Sequence, residues 1–192
     1  MANANAPFGL RPVRGAYSQP YSDAATVYSA AAADATVIRY GDPVTVTGAA
    51  RADGTAIVTR STAGTGNAIT GVAVGFRPYG ATEWLGYRPA STDYEVLVED
   101  NPLIEFEMME DSDGGALSVD QAGANVSIIF GTATGNRSAA MIDSSTVGTT
   151  VGLQLRLLGL AKRVDNEPGV NAVWRVRLNN VTTTPNGAST GI

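Results

Sequence analysis

The feature that most constrains how this chain folds is a series of short runs in which apolar and polar residues alternate. In LIEFEMME, for example, Ile104, Phe106 and Met108 alternate with Glu105 and Glu107. Successive side chains of a β-strand point to opposite faces, whereas an amphipathic helix repeats every 3.6 residues. This run therefore predicts a strand with an apolar face towards a core and an acidic face that is solvated or turned towards a partner.

Comparable runs recur along the chain, with glycine, proline, asparagine and aspartate between them. They are ATVIRYGDPVTVTG, TAIVTR, AITGVAVGF, YEVLVE, NVSIIFG, VGLQLRLLGLAKRV and AVWRVRLNN. The one helical candidate is the alanine-rich YSAAAADA of residues 28–35, which is only about two turns long and fits an extended connection equally well. Short strands at such spacing indicate an all-β sandwich or barrel.

The ends of the chain lack this alternation, and at 192 residues the length suits one domain with extensions. We expect an extended N-terminal arm over residues 1–20, a single β domain over residues 21–181 and a flexible C-terminal tail over residues 182–192. No apolar run approaches the ~20 residues of a membrane span. We therefore expect no membrane partner.

The proposed arm opens MANANAPFGLRPVRG. Pro7 and Pro12 remove amide donors and favour extended geometry, so a helix is disfavoured. Phe8 is its apolar residue, and Arg11 and Arg14 are its charges. We predict that these three side chains contact a neighbouring subunit, and that the arm contributes nothing to its own domain's core.

The composition argues against an enzyme, because the chain contains neither cysteine nor histidine. Thiol nucleophiles, thiolate metal sites and the usual general base are thereby excluded. A glycosidase-like pair of Glu105 and Glu107 is a remote alternative, because such carboxylates normally come from different strands. MEDSDGG partly matches a calcium loop but lacks its full spacing. We predict no catalytic site, no cofactor and no metal.

Charge is unevenly distributed, although the net charge is only −5. Residues 93–120 contain ten acidic residues and no basic one. No basic patch dominates the chain, so we expect no direct nucleic-acid binding. The nearest approach to a basic cluster is formed by Lys162, Arg163, Arg175 and Arg177. It is a candidate to complement the acidic strand with Glu105 and Glu107, within one subunit or between two. We also predict that the acidic segment faces a basic surface on a partner.

Several segments together resemble the cement or decoration proteins of tailed-bacteriophage capsids. The resemblance rests on ANAPFGLRPVR, GDPVTVTG, GVAVGFRP, YRPASTDYEVLVEDNP, FEMMEDSDGG and LLGLAKRVDNEPG…WRVRLNN, and it spans nearly the whole chain. It implies a jelly-roll-like β domain on the outer surface of the capsid, made in the host cytoplasm, that binds the major capsid protein and stabilises the shell. It also implies self-association, as a homodimer or a homotrimer.

A carbohydrate-binding module, associated with a phage tail or fibre or secreted, is the alternative from another functional class. Such a module needs a row of exposed aromatic side chains. Tyr79, Trp84 and Tyr87 lie close enough in the sequence to be candidates. Tryptophan more often anchors a core or an interface, so capsid binding remains the preferred prediction.

Overall fold

The computed structural model describes residues 3–15, 17, 19–22, 25–80, 83–133 and 135–183. Within these ranges the chain forms eleven strands and one short 3-10 turn, Val119–Gln121. The strands are β1 (Arg11–Arg14), β2 (Thr26–Ala30), β3 (Pro43–Ala50), β4 (Ala56–Arg60), β5 (Gly71–Pro78), β6 (Tyr94–Glu99), β7 (Glu105–Met109), β8 (Asn125–Phe130), β9 (Ala140–Gly148), β10 (Leu155–Leu160) and β11 (Val173–Leu178).

The strands build two sheets. One is six-stranded with the order β1-β7-β11-β10-β8-β9, and the other closes into a five-stranded barrel with the order β2-β4-β3-β5-β6. The all-β class expected from the sequence is confirmed, and a sandwich-like arrangement of two sheets is consistent with it. Jelly-roll connectivity is not established by this strand order and stays a prediction.

The apolar side chains of the alternating run in β7 lie in the core as predicted. Phe106 and Met108 of β7 lie in the core of the six-stranded sheet beside Trp174 and Val176 of β11, and all four are fully buried. Glu105 and Glu107 lie on the opposite face of β7. Burial of one face of each strand is the main stabilising contribution, at about 25 cal/mol per Å² of apolar surface.

The barrel has its own core, formed by residues such as Val44, Val58, Phe76 and Val96. The alanine-rich segment 28–35 is not helical: β2 runs through Ala30, and a turn follows. Five residue pairs join β2 to β6 in antiparallel register. Strand pairing with a packed core outweighs helix propensity in so short a segment, because an isolated two-turn helix is marginal.

The two sheets meet where Gln154 enters the loop between β4 and β5. Gln154 is fully buried; its Oε1 accepts from the amides of Gly64 and Ile128, and its Nε2 donates to the carbonyls of Thr62 and Asn67. One side chain thus links the β4–β5 loop to β8. The alternation of leucine with Gln154 and Arg156 in VGLQLRLLG predicts that Gln154 lies on a polar face, and its complete burial shows that this prediction is wrong.

The N-terminal segment also departs from the expectation. Leu10 is fully buried in the core of the six-stranded sheet, and its amide donates to the carbonyl of Gly41 at 2.9 Å. Arg11–Arg14 forms β1, which pairs with β7. The prediction that the arm contributes nothing to its own domain is wrong. The segment is extended, as its prolines require, but it is an edge strand of its own sheet.

Sequence analysis also missed β9. Its AMIDSSTVG sequence is rich in serine and threonine and has a weak apolar alternation, yet β9 pairs with β8 and forms the other edge of the sheet. At the C-terminus, Thr182 donates its amide to the carbonyl of Ile69, and residues 184–192 of the predicted tail lie outside the described residues. No helix in the described part is long and apolar enough to cross a membrane.

Candidate partner-binding face

Six of the seven predicted partner contacts lie together on the six-stranded sheet, on the face opposite its core. We call this set the arginine–glutamate face: Arg11, Arg14, Glu105, Glu107, Arg175 and Arg177. The strand register brings them together, because Arg11 and Arg175 lie opposite Glu107, and Arg14 lies opposite Glu105. Cross-strand pairs of opposite charge stabilise a sheet, since their side chains project side by side.

Glu105 is the more heavily paired of the two glutamates. Its Oε1 lies 3.1 Å from Nη2 of Arg177, and its Oε2 lies 3.4 Å from Nη1 of Arg175 and 3.9 Å from Nη1 of Arg14. The side chain of Glu105 is 8% exposed. A carboxylate removed from water in this way requires compensating positive charge.

Glu107 contacts two arginines, one from β1 and one from the loop after β10. Its Oε2 accepts from Arg11 of β1 and lies 3.4 Å from Nη1 of Arg163, which belongs to the loop after β10. Arg163 also makes a two-pronged contact with Asp165, at 3.1 Å from Nε and 3.0 Å from Nη2. The side-chain hydrogen bond between Arg163 and Asp165 raises the pKa of Arg163 and lowers the pKa of Asp165, and their opposite charges act in the same directions.

These contacts correct the expectation for the acidic strand. Glu105 and Glu107 do not form a solvated acidic face, because both residues are buried beneath arginine side chains of the same chain. Between pairing within one subunit and pairing between two, the structure shows pairing within one. Glu99 and Glu110, from the same acidic segment, are buried as well. The segment therefore presents much less negative charge than its sequence indicates.

The arginines in fact overcompensate the glutamates. Five guanidinium groups contact the carboxylates of only two residues, Glu105 and Glu107. The Nε atoms of Arg175 and Arg177 are buried without a hydrogen-bond acceptor among the described residues. Lys162 adds another positive charge beside them. The arginine–glutamate face is consequently basic, in a chain whose net charge is −5.

A polar depression of about 470 Å³ opens on this face. It is lined by Val13, Arg14, Glu105, Glu107, Lys162 and Arg175. The side chain of Arg14 is 45% exposed and Lys162 is also exposed, so both can turn donors towards a bound group. The glutamates at the base of the depression hold the guanidinium groups in place.

Phe8, the remaining predicted contact, lies beside the face rather than on a neighbour. It is partly buried, and the guanidinium of Arg11 stacks over its ring at 5.2 Å from the centroid. Phe8 and Tyr40 line a second depression of about 410 Å³ together with Arg137. The sequence identified Phe8 as an anchor, but the surface to which it is anchored belongs to its own chain.

The structure also brings together three aspartates near the MEDSDGG turn, one of which, Asp143, is distant in the sequence. Carboxylate oxygens of Asp111, Asp113 and Asp143 lie within 4.8 Å of one another, a spacing that a hard cation such as Ca²⁺ tolerates. However, Oδ1 of Asp111 already accepts from the amide and hydroxyl of Ser144 at 3.0 Å each. The MEDSDGG turn thereby covers part of the edge of β9.

The three aromatic candidates for sugar binding are not equivalent. Trp84 is 70% exposed and Tyr79 is 48% exposed, whereas Tyr87 is partly buried. The guanidinium of Arg51 lies over the ring of Tyr79 at 3.8 Å from the centroid, so one face of that ring is occupied. Trp84 is therefore the most available stacking surface of the three.

In comparisons with known proteins, the chain matches no family model, no curated protein and no solved structure.

Proposed function

We propose that this chain is a structural protein of a bacteriophage capsid, which binds the outer surface of the lattice and stabilises the shell by bridging subunits of the major capsid protein. The assignment to a phage capsid rests on the sequence resemblance to cement and decoration proteins. The observation that carries it is the arginine–glutamate face, a set of side chains held in fixed geometry on a sheet.

Three properties of this face suit protein–protein contact. Its positive charge is supplied mainly by arginine, which is enriched at interfaces because its planar group forms two-pronged hydrogen bonds. The guanidinium groups are held by buried glutamates, so little side-chain entropy remains to be lost on binding. The strands beneath them are fixed by a packed core. Pre-organisation of this kind favours stable binding to a repeating lattice.

Sedimentation of the purified chain with capsids that lack it tests the proposal. We expect saturable binding at a fixed ratio to the major capsid protein and a shell that resists heat better when decorated. Multiple copies per shell multiply the stabilisation, because each bridges subunits that would otherwise separate. Absence of co-sedimentation at low ionic strength would refute the proposal.

Carbohydrate binding is the second candidate, favoured by the exposure of Trp84 and Tyr79. A sugar-binding module stacks pyranose rings on such side chains, and loss of the exposed indole should abolish binding. Glycan-array binding that disappears in Trp84→Ala, together with no affinity for capsids, would favour this candidate over the first.

Three expectations accompany the capsid proposal. Self-association as a dimer or trimer is measurable by light scattering of the purified chain.

Glu105 and Glu107 are expected to catalyse no hydrolysis. Hydrolytic turnover by the wild-type chain that is lost in a Glu105→Gln, Glu107→Gln double variant would contradict the non-enzymatic assignment. Localisation at the virion surface is testable by labelling intact particles.

A further inference from the structure

We infer that the depression beside Arg14, Lys162 and Arg175 binds an acidic segment of the protein partner, with carboxylate groups as the recognised chemistry. This inference deepens the proposed function and rests on it only for the identity of the partner. The sequence predicted that an acidic segment of this chain faces a basic partner. The inference reverses these charges, because it places the basic surface on this chain and the acidic segment on the partner.

The first argument is the charge left over on the face. Arg11, Arg14, Arg163, Arg175 and Arg177 act on only two glutamates, and Asp165 takes up part of the charge of Arg163. Arg156 of β10 lies directly opposite Arg177 in the register and adds a further positive charge to the same face. The guanidinium groups thus outnumber the carboxylates they contact, and an anionic partner would complement the net positive charge of the face.

The second argument is that the donors are accessible where the depression opens. The side chains of Arg14, Arg175 and Arg177 are 45%, 28% and 34% exposed, whereas the glutamates beneath are nearly covered. An approaching anion therefore meets guanidinium groups before it meets a carboxylate. Glu105 and Glu107 orient these groups, and the outward-facing donors remain for a ligand.

The third argument selects carboxylates over nucleic-acid phosphates. Arginines of this face already pair with carboxylates, so their spacing suits that group. A nucleic-acid site usually lies on a strongly basic domain, whereas this chain has a net charge of −5 and an isoelectric point near 4.6. A long polyanion would be repelled by the rest of the molecule, whereas a depression of about 470 Å³ has room for carboxylate side chains of a short acidic segment that crosses it.

The test measures binding of a fluorescein-labelled peptide of alternating glutamate and glycine, twelve residues long, to the full chain by fluorescence anisotropy. Alternation places the carboxylates on one side of an extended chain, about 7 Å apart. A glutamine–glycine peptide and a twelve-nucleotide oligo-dT serve as comparison probes. We expect saturable binding of the acidic peptide that weakens as salt is raised, because exposed charges are screened.

The decisive variant is Arg14→Gln, Lys162→Gln, and its matched control is Arg39→Gln, Arg77→Gln, which removes the same charge elsewhere. We expect affinity for the acidic peptide to fall about tenfold in the first variant, because the peptide loses its ion pairs with Arg14 and Lys162. In the control, which leaves the depression intact, affinity should fall less than about twofold. Thermal unfolding of both variants checks the fold. Lys162→Glu is a second test of the same loss of affinity for the acidic peptide. It is a suitable one because Lys162 is exposed and lies outside the strands, so the fold should tolerate the change.

Four outcomes would overturn the inference. They are absence of peptide binding, equal weakening in the test and control variants, tighter binding of oligo-dT through the same residues, and self-association of the chain that Arg14→Gln, Lys162→Gln abolishes. Capsid binding without peptide binding would overturn this inference and leave the proposed function standing. Peptide binding without capsid binding would do the reverse.

Discussion

Gly9 shows at the scale of a single residue how the N-terminal segment is built into the fold. It has a positive φ of +73°, and a Cβ placed on it would lie 2.5 Å from both the carbonyl oxygen of Gly41 and Cβ of Ser138. A side chain here would push the N-terminal segment away from the residues that precede β3. Close backbone approach and left-handed geometry both require glycine.

Gly9→Ala should therefore destabilise the protein by about 3 kcal/mol, from overpacking together with the cost of the left-handed conformation. Gly54→Ala is the matched control, because Gly54 also has a positive φ, +88°, but nothing lies within 4 Å of a Cβ there. The control should cost about 1 kcal/mol. Urea denaturation measures both, and equal effects would contradict the tight packing of Gly9.

Gln154 carries a second prediction at this scale. Gln154→Leu conserves volume but leaves two amides and two carbonyls without their partner. Each unsatisfied buried group costs about 1–3 kcal/mol, and water that reaches part of the loop compensates some of this cost. We therefore expect Gln154→Leu to lower the free energy of unfolding, measured by urea denaturation, by about 3 kcal/mol.

The control for this substitution is Gln121→Leu, in the 3-10 turn. Gln121 accepts a hydrogen bond from the amide of Ser118 at an exposed position, so water replaces the lost partner. The free energy of unfolding should change by less than about 1 kcal/mol there. A small effect of Gln154→Leu as well would show that the link between the β4–β5 loop and β8 adds little stability.

At the scale of elements, β1 depends on one buried side chain and a row of charges. Leu10 precedes the strand and fills part of the core, while Arg11 and Arg14 pair with Glu107 and Glu105. The strand is short, contains Pro12 and has an irregular register between Pro12 and Arg14. Such features protect an exposed sheet edge from pairing with another chain. Side-chain charge, rather than strand addition, is then the available mode of contact.

Deletion of Met1–Arg14 should lower the thermal unfolding temperature strongly, because the core loses Leu10 and two buried glutamates lose arginine partners. Leu10→Ala alone should cost about 2–5 kcal/mol, the usual range for a buried leucine. Val164→Ala, at a fully exposed position, should leave stability within about 0.5 kcal/mol. Calorimetry separates these cases, and an unchanged unfolding temperature after the deletion would show that β1 is dispensable.

At the scale of the whole molecule, buried carboxyl groups make stability depend on pH. Burial raises the pKa of Glu110 and, at the junction of the two sheets, the pKa of Asp42. A raised pKa means that the folded state binds more protons than the unfolded state over the interval between the two pKa values. Stability therefore falls as pH rises from the ordinary carboxyl range through the raised pKa values.

We expect the free energy of unfolding to be larger near pH 5 than near pH 8, and the difference to shrink in Glu110→Gln, which cannot ionise. Asp120→Asn, on the exposed 3-10 turn, is the control and should leave the pH dependence unchanged. Urea denaturation at a series of pH values measures the slopes. A wild-type slope identical to that of Glu110→Gln would exclude Glu110 as a source.

The sequence alone determined which face of most strands would be buried, because side-chain alternation is a local property of a strand. Ile104, Phe106 and Met108 entered the core as expected, and Glu105 and Glu107 took the other face. The prediction failed where local pattern was weak. Leu10 lies outside any alternating run, and β9 has little apolar alternation.

Only the tertiary structure decided which charges meet. Arg11 and Glu107 are separated by 96 positions, and their contact follows from the pairing of β1 with β7, which no local pattern specifies. The same holds for Asp143, which β9 brings to Asp111 and Asp113. Strand order and register depend on which hydrophobic faces can be buried together across the whole chain. A stretch that is acidic in sequence thus became, once folded, the base of a basic face.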